Sequence, residues 1–329
     1  MSCLAQRPMI DPGKACLLAL AVSIAVGCGG KSGASVPLDT ACADLAASRC
    51  KMQQSCDPRG FELVFADLAT CTARLQLTCP IVAAAPGSGY TGNNVEACAR
   101  AMAATSCADF MNNVGPADCR IRGTLPLGAG CIDDAQCAGA DNYCLINNGA
   151  CGQCTARKPI SDFGTCGDNA GCLDGLICSL TMCAQPLSAD AACDLTHPCG
   201  WPYTCVGAVC SLPTLGEGAP CDVNEQACNR DQRLVCYEAD VDVCTVWPVG
   251  HMGEACGLMG NIVGLCLDGL ICNIVSGDLG TCDPPLADGA ACPTPDFFFD
   301  RCQPPAMCTG NVCRLPDPST CGSADAGTD

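Results

Sequence analysis

The 329-residue chain is poor in the side chains that build a large continuous core, with seven Phe, four Tyr and two Trp over its whole length. Its two histidines, His197 and His251, are too far apart for a His-x-x-x-His zinc helix. It contains no Gly-x-Ser-x-Gly elbow, no Walker loop and no dinucleotide glycine fingerprint, so hydrolases, nucleotide enzymes and redox-cofactor enzymes lose their usual sequence anchors. Positive charge is scarce as well. Sixteen Lys and Arg face 34 Asp and Glu, a net charge of -18 that argues against nucleic acid as a partner. The one long apolar run, Ala15 to Gly27, has 13 residues and is too short to cross about 30 Å of hydrocarbon as a helix.

Cysteine is what the chain has in excess: 37 residues, beside 36 Gly and 23 Pro. That composition is a disulfide scaffold, and it predicts many small cross-linked cores in an oxidising compartment. The expected fold class is small and disulfide-rich: an N-terminal disulfide-stapled all-α domain followed by an array of short β-hairpin cysteine-rich modules.

The first 27 residues read as a signal peptide, with Arg7 and Lys14 before the apolar run. The run ends Ala25-Val26-Gly27-Cys28, which resembles a bacterial lipoprotein box, in which the cysteine receives diacylglycerol and becomes the new N-terminus. Residues 28–38 then read as a lipidated Cys28 and a flexible tether. Parity agrees: losing Cys3 and Cys16 with the leader and lipidating Cys28 leaves 34 of the 37 cysteines, an even number that can all pair. Plain secretion with Cys28 retained leaves an odd thiol.

Residues 39–122 carry eight widely spaced cysteines on stripes of helical period. One stripe holds Cys42, Leu45, Ala46 and Cys50; a longer one runs Phe61, Val64, Phe65, Leu68, Cys71 and Leu75; a third follows Asn93 as N-cap with Glu96 three residues on. The expectation is three or four helices joined by four disulfides, with Pro80 to Gly92 as an irregular loop.

Beyond Gly128 the texture changes to a repeat, with units expected at 129–157, 164–185, 191–212, 219–246, 254–284 and 290–315 and a mostly disordered tail at 316–329. Five units hold four cysteines each; the first holds Cys131, Cys137, Cys144, Cys151 and Cys154. The heptapeptide Cys-Leu-Asp-Gly-Leu-Ile-Cys occurs identically at 172–178 and 266–272. Asp-Gly supplies a tight turn and the apolar pair after it a short strand, so each unit reads as a hairpin closed by two disulfides. Cys154 and Cys321 are left over in this partition, and a link between them requires the array to fold back on itself.

On these repeats, of form Gly-x-x-Cys, a second Cys, Gly-Leu-x-Cys and a closing Cys, the C-terminal two thirds resembles the modules of the Dickkopf N-terminal and colipase-like type. Roughly residues 40–313 also resemble cysteine-rich repeat surface lipoproteins of predatory, myxobacteria-like soil bacteria. The resemblance implies binding or surface architecture and supplies no catalytic residue.

The functional reading is therefore a non-catalytic lipoprotein of the cell envelope, expected in the outer membrane. It would be held there by its lipid anchor and would present modules for adhesion, ligand binding or surface assembly with an unknown protein or glycan partner. The alternatives are a secreted inhibitor or toxin-like protein and a hydrolase using Asp or Glu. Candidate contact residues are Trp201, Trp247 and the run Phe297, Phe298 and Phe299, since three consecutive rings cannot all enter one small core. No catalytic residue, metal ligand or cofactor is assigned. Weak calcium binding is left open at Asp133-Asp134, at Asp222 with Glu225, or at Asp240 with Asp242. Cys151-Gly152-Gln153-Cys154 has redox-dithiol spacing but lacks the strand and helix that such chemistry uses, so it reads as structural.

Overall fold

A computed structural model describes residues 35–146, 151–158, 171–179, 182–222, 227–237, 242–259, 262–276, 279–292 and 301–321. The segment expected as a signal peptide, Cys28, Cys166 and Phe297 to Phe299 lie outside the described residues.

The helical part begins with α1, Leu38–Cys56, followed by α2, Pro58–Val64, α3, Leu68–Gln76, α4, Thr78–Ala84, α5, Gly92–Ala103, and α6, Cys107–Met111. Helix α1 is the spine. It buries Ala41, Cys42, Ala46, Cys50, Met52 and Cys56. Its cysteines are bonded to α4 (Cys42–Cys79), α3 (Cys50–Cys71) and α6 (Cys56–Cys107), and a fourth cystine, Cys98–Cys119, closes α5 onto the segment that follows. Four disulfides thus staple the helices, as the cysteine stripes predict.

Local details differ from expectation for identifiable reasons. The long stripe from Phe61 to Leu75 is divided between α2 and α3, because Phe65 turns extended and Asp67 caps α3 by accepting from the Thr70 N–H at 2.6 Å. Both halves still face one cluster of Cys50, Phe61, Phe65 and Cys71. The N-cap of α5 is Thr91, whose capping box is completed by Asn94. Asn93 serves elsewhere, its side-chain oxygen accepting from the Val36 N–H. Pro80 lies within α4 and not in a loop. Proline is tolerated there because the first turn of a helix has no N–H that needs an intrahelical acceptor.

The repeats share one construction. In every module the third and fourth cysteines face each other across an antiparallel hairpin: Cys144 and Cys154, Cys178 and Cys183, Cys205 and Cys210, Cys236 and Cys244, Cys272 and Cys282, Cys308 and Cys313. They do not bond to each other. Among the described residues the first cysteine bonds to the third and the second to the fourth, as in Cys193–Cys205 and Cys199–Cys210 or Cys256–Cys272 and Cys266–Cys282. The two cystines of a module lie side by side and, with an occasional Leu or Ala, form its interior.

The segment ahead of each first cysteine belongs to the same construction. Leu125, Leu187, Leu215, Gly250 and Leu286 pair in parallel with the second cysteine of their modules. Three residues before the first cysteine, Gly128, Asp190, Gly218, Gly253 and Gly289 all have positive φ and donate their N–H to the carbonyl of the fourth cysteine, at 2.7–2.9 Å. This recurring turn is why small-polar leads precede the repeats. Four of the five positions are glycine and the fifth is Asp, whose short side chain tolerates the left-handed region.

The first module settles the leftover cysteines differently from the sequence partition. Its fourth cysteine is Cys154, bonded to Cys137, and the extra one is Cys151, bonded to Cys321 across 170 residues. The array does fold back. Residues 318–320 form a short turn capped by Asp317, and Cys321 packs on the cluster built around α1 and α5.

Each module also touches the helices. Ile132 and Ala135 of the first join the helical core, and Gln136 donates to the Pro86 carbonyl. From the second module onward the docking element is the loop between the second and third cysteines. The Gly175 N–H donates to the Asn113 carbonyl at 3.1 Å, and the Trp201 N–H to the Asn112 side chain at 2.7 Å. Arg233 pairs with Glu62, and the Gly269 N–H donates to the Glu62 carbonyl at 3.2 Å. Arg74 of α3 donates to the carbonyls of Gln303 and Pro304 and forks onto Asp288. The two copies of the identical heptapeptide thus use the same turn glycine for the same purpose. At Gly269 the fit is so close that a Cβ would lie 2.9–3.1 Å from the backbone of Phe65 and Ala66. The described residues from Ser35 onward belong to one compact unit in which the modules dock on a helical hub.

Candidate functional site

Docking the modules leaves two cavities beside the hub that gather charge. The first, about 460 Å³, lies between α2 and the fourth module and is lined by Arg59, Cys228, Arg230, Leu234, Val235, Cys236 and Trp247. Arg59 follows Pro58 at the start of α2, so the short helix fixes its direction toward the module. Its guanidinium lies 4.2 Å from the centre of the Trp247 ring, a cation–π contact. Burial and the nearby positive charges of Arg233 and Arg230 push its pKa down, partly offset by Asp57. No described protein group accepts a hydrogen bond from the Arg59 side chain, and its Nη2 is fully buried. Arg233 is neutralised by Glu62. Among the described residues, no carboxylate lines this cavity.

The two tryptophans expected as contact residues both lie here. Trp247 forms one wall, and Trp201, half-buried, lines an adjoining cavity of about 210 Å³ with Pro202, Leu212 and Arg230. They are brought together on either side of Arg230 at the junction of the third and fourth modules. Both are also in contact with the hub, Trp201 through its backbone and Trp247 through Arg59.

No family model, curated protein or solved structure matches the chain.

The second cavity, about 370 Å³, lies where the hub meets the first two modules. It is lined by Arg49, Arg120, Arg122 and Arg157 and by Asp133, Asp134 and Asp174. Here the charges are largely consumed by one another: Arg157 reaches Asp134 at 2.7 Å and Asp174 at 3.3 Å, and Arg120 reaches Asp174 at 2.6 Å. Asp133 accepts from the Ala135 N–H, while burial in the cavity wall and the neighbouring Asp134 push its carboxyl up to about 6. Asp133-Asp134, one of the acidic pairs left open for calcium, thus shares its cavity with four guanidinium groups, a setting that repels a divalent cation. Of the other acidic pairs, Glu225 and Asp240 lie outside the described residues.

The histidines are surface residues, each beside a carboxylate. His197 Nδ1 is 2.9 Å from Asp194 and His251 Nδ1 is 3.1 Å from Asp268. The Thr196 hydroxyl shares the Nδ1 side of His197 with Asp194. A nucleophile and an orienting acid need opposite ring nitrogens, so this arrangement is a loop lock and not a relay. Every described cysteine is in a disulfide. The sulfur triplets that lie within 4.8 Å of one another, such as Cys256, Cys266 and Cys282, are stacked cystines and offer no thiolate to a metal.

Arg59 and Arg230 are not among the residues that sequence reasoning selects. A signal exists in retrospect: in a chain with 16 basic residues, Arg230 and Arg233 stand three apart in one intercysteine loop. Nothing in the sequence, however, places Arg59 beside them.

Proposed function

We propose that this protein is an exported, lipid-anchored protein of the bacterial cell envelope that acts by binding, without catalysis. The reading is supported first by complete oxidation of the described cysteines, 33 side chains that include both members of the Cys151-Gly152-Gln153-Cys154 pair. Such a chain belongs in an oxidising compartment. The lipoprotein-like Ala25-Val26-Gly27-Cys28 supplies the anchor, and the small, polar residues that follow Cys28 give it a tether. Among the described residues no helix is long and apolar enough to cross a membrane, so attachment in this reading depends on Cys28.

The single observation that carries the binding role is the hub-and-modules construction. The loops that a linear array would display are turned inward onto the helices, and the outcome is a compact body with crevices where modules meet the hub. A catalytic alternative needs a nucleophile or a poised acid–base pair in a cleft, and the cavity beside Arg59 has neither among its described residues.

The test of the anchor is the mass of the N-terminal peptide from natively produced protein. A diacylated peptide beginning at Cys28 supports the reading. An unmodified peptide beginning elsewhere overturns it and favours a secreted inhibitor-like protein.

A further inference from the structure

The structure assigns the cavity between α2 and the fourth module as a binding site for an oxyanion group of a ligand, with Arg59 as its principal anchor. The argument starts from an imbalance. The chain carries a formal charge of -18, yet Arg59 lies at a junction beside Arg230 and Arg233, and the nearby carboxylate of Glu62 pairs with Arg233 and not with Arg59. A guanidinium has five N–H donors in a fixed fork, and leaving a buried one without an acceptor is costly. Arg59 leaves the whole fork without a described protein acceptor, with Nη2 fully buried. Other arginines placed in docking contacts are treated differently: Arg74, Arg120, Arg157 and Arg233 meet carboxylates, and Arg122 donates to the Asn142 carbonyl. Folding could have satisfied Arg59 in the same way.

The surroundings suit a planar or tetrahedral oxyanion. Trp247 holds the guanidinium from one side, restricting its rotamers, and Leu234 and Val235 give the cavity apolar walls in which a charge-assisted hydrogen bond is strong. Carboxylate, sulfate and phosphate share the chemistry that Arg59 recognises, because each offers two oxygens to one fork. The assignment gives a ligand class to the binding role proposed above and rests on that reading only for its biological purpose. The lipid anchor plays no part in the geometry.

The test uses the full oxidised chain in detergent, titrated at constant ionic strength with sodium sulfate, sodium phosphate and sodium glucuronate, and with sodium chloride as the reference. Trp201 and Trp247, the only tryptophans, both line cavities that contain Arg230, so intrinsic emission reports the site directly. The expected result is a saturable emission change with at least one oxyanion and none with chloride. Arg59→Met should weaken it about tenfold or more, and Arg59→Lys should weaken it less. Comparison of the sulfate, phosphate and glucuronate arms tells a tetrahedral group from a carboxylate. No saturable response to any of the three in the wild-type protein overturns the assignment, as does an unchanged response in folded Arg59→Met; the Arg59→Lys series decides if the Met variant does not fold. Failure here leaves the peptide-mass test of the anchor untouched.

Discussion

The helical hub and the modules around it are both stapled by cystines, but the staples do different work. In the hub, disulfides join segments 21–51 residues apart and sit among Phe61, Phe65, Val82 and Val95, which are themselves buried. In the modules they span 11–17 residues and supply most of the interior. The hub is a small apolar core reinforced by cross-links, whereas a module is a pair of cross-links with a hairpin around it. Units this small bury too little surface to offset chain entropy unaided.

The strongest way to break that comparison is reduction under mild conditions. The modules should lose their structure, read as collapse of the dispersed amide NMR signals of residues 187–313. The hub should keep part of its far-UV helical signal through its apolar stripes. Modules that stay dispersed after reduction would mean that docking on the hub, and not the cystines, holds them.

A narrower break opens the ring. Replacing Cys151 and Cys321 together by Ala removes a closure of 170 residues, worth at most about 5 kcal/mol in the chain-entropy account, against about 3 kcal/mol for an 11-residue link such as Cys172–Cys183. The ring-opened protein should unfold at lower denaturant while each module keeps its native amide pattern. Loss of Cys172–Cys183 should do the reverse, erasing one module and barely shifting the rest.

Docking alone can be weakened through Arg74. Its side chain is 12% exposed, donates to two carbonyls of the sixth module and forks onto Asp288. Arg74→Ala should cost about 2–4 kcal/mol and accelerate amide exchange in residues 286–314 without touching the other modules. The Arg74 hydrogen bonds also hold the Asp288 carboxyl below its ordinary range, so this contact should be present near neutral pH and be lost as pH falls through that lowered pKa.

The smallest expected effect is at the first module. The folded protein holds the Asp133 proton up to about 6, so burial of the charged form destabilises the protein above that pH, progressively less down to about 4, and not below. Asp133→Asn keeps an acceptor for the Ala135 N–H and should therefore raise stability by about 1–2 kcal/mol at pH 8 and leave it unchanged near pH 3.5. An equal gain at both pH values would show that packing, and not charge, is responsible.

Much of this architecture is legible from local pattern. Cysteine periodicity and the duplicated Cys-Leu-Asp-Gly-Leu-Ile-Cys announce stapled helices and four-cysteine hairpins because both depend on short-range spacing: a stripe every three or four residues, a turn followed by a strand. The helix boundaries at Asp67 and Thr91 were harder to read, since capping depends on which polar side chain reaches a free N–H.

What the sequence by itself determined was the kind of cross-linked parts, their number of cysteines and an overall acidic charge. Tertiary structure alone decided that Cys151, and not Cys154, closes the ring with Cys321, and that Arg59 of α2 meets Trp247 of a module 188 positions later. Pairing among chemically identical thiols depends on which sulfurs folding brings within bonding distance, about 2 Å between sulfurs, and sequence spacing does not encode that once loops vary in length. The cationic cavity has the same origin: each arginine is ordinary where it stands in the chain, and only the wrapping of modules around the hub places the charges side by side.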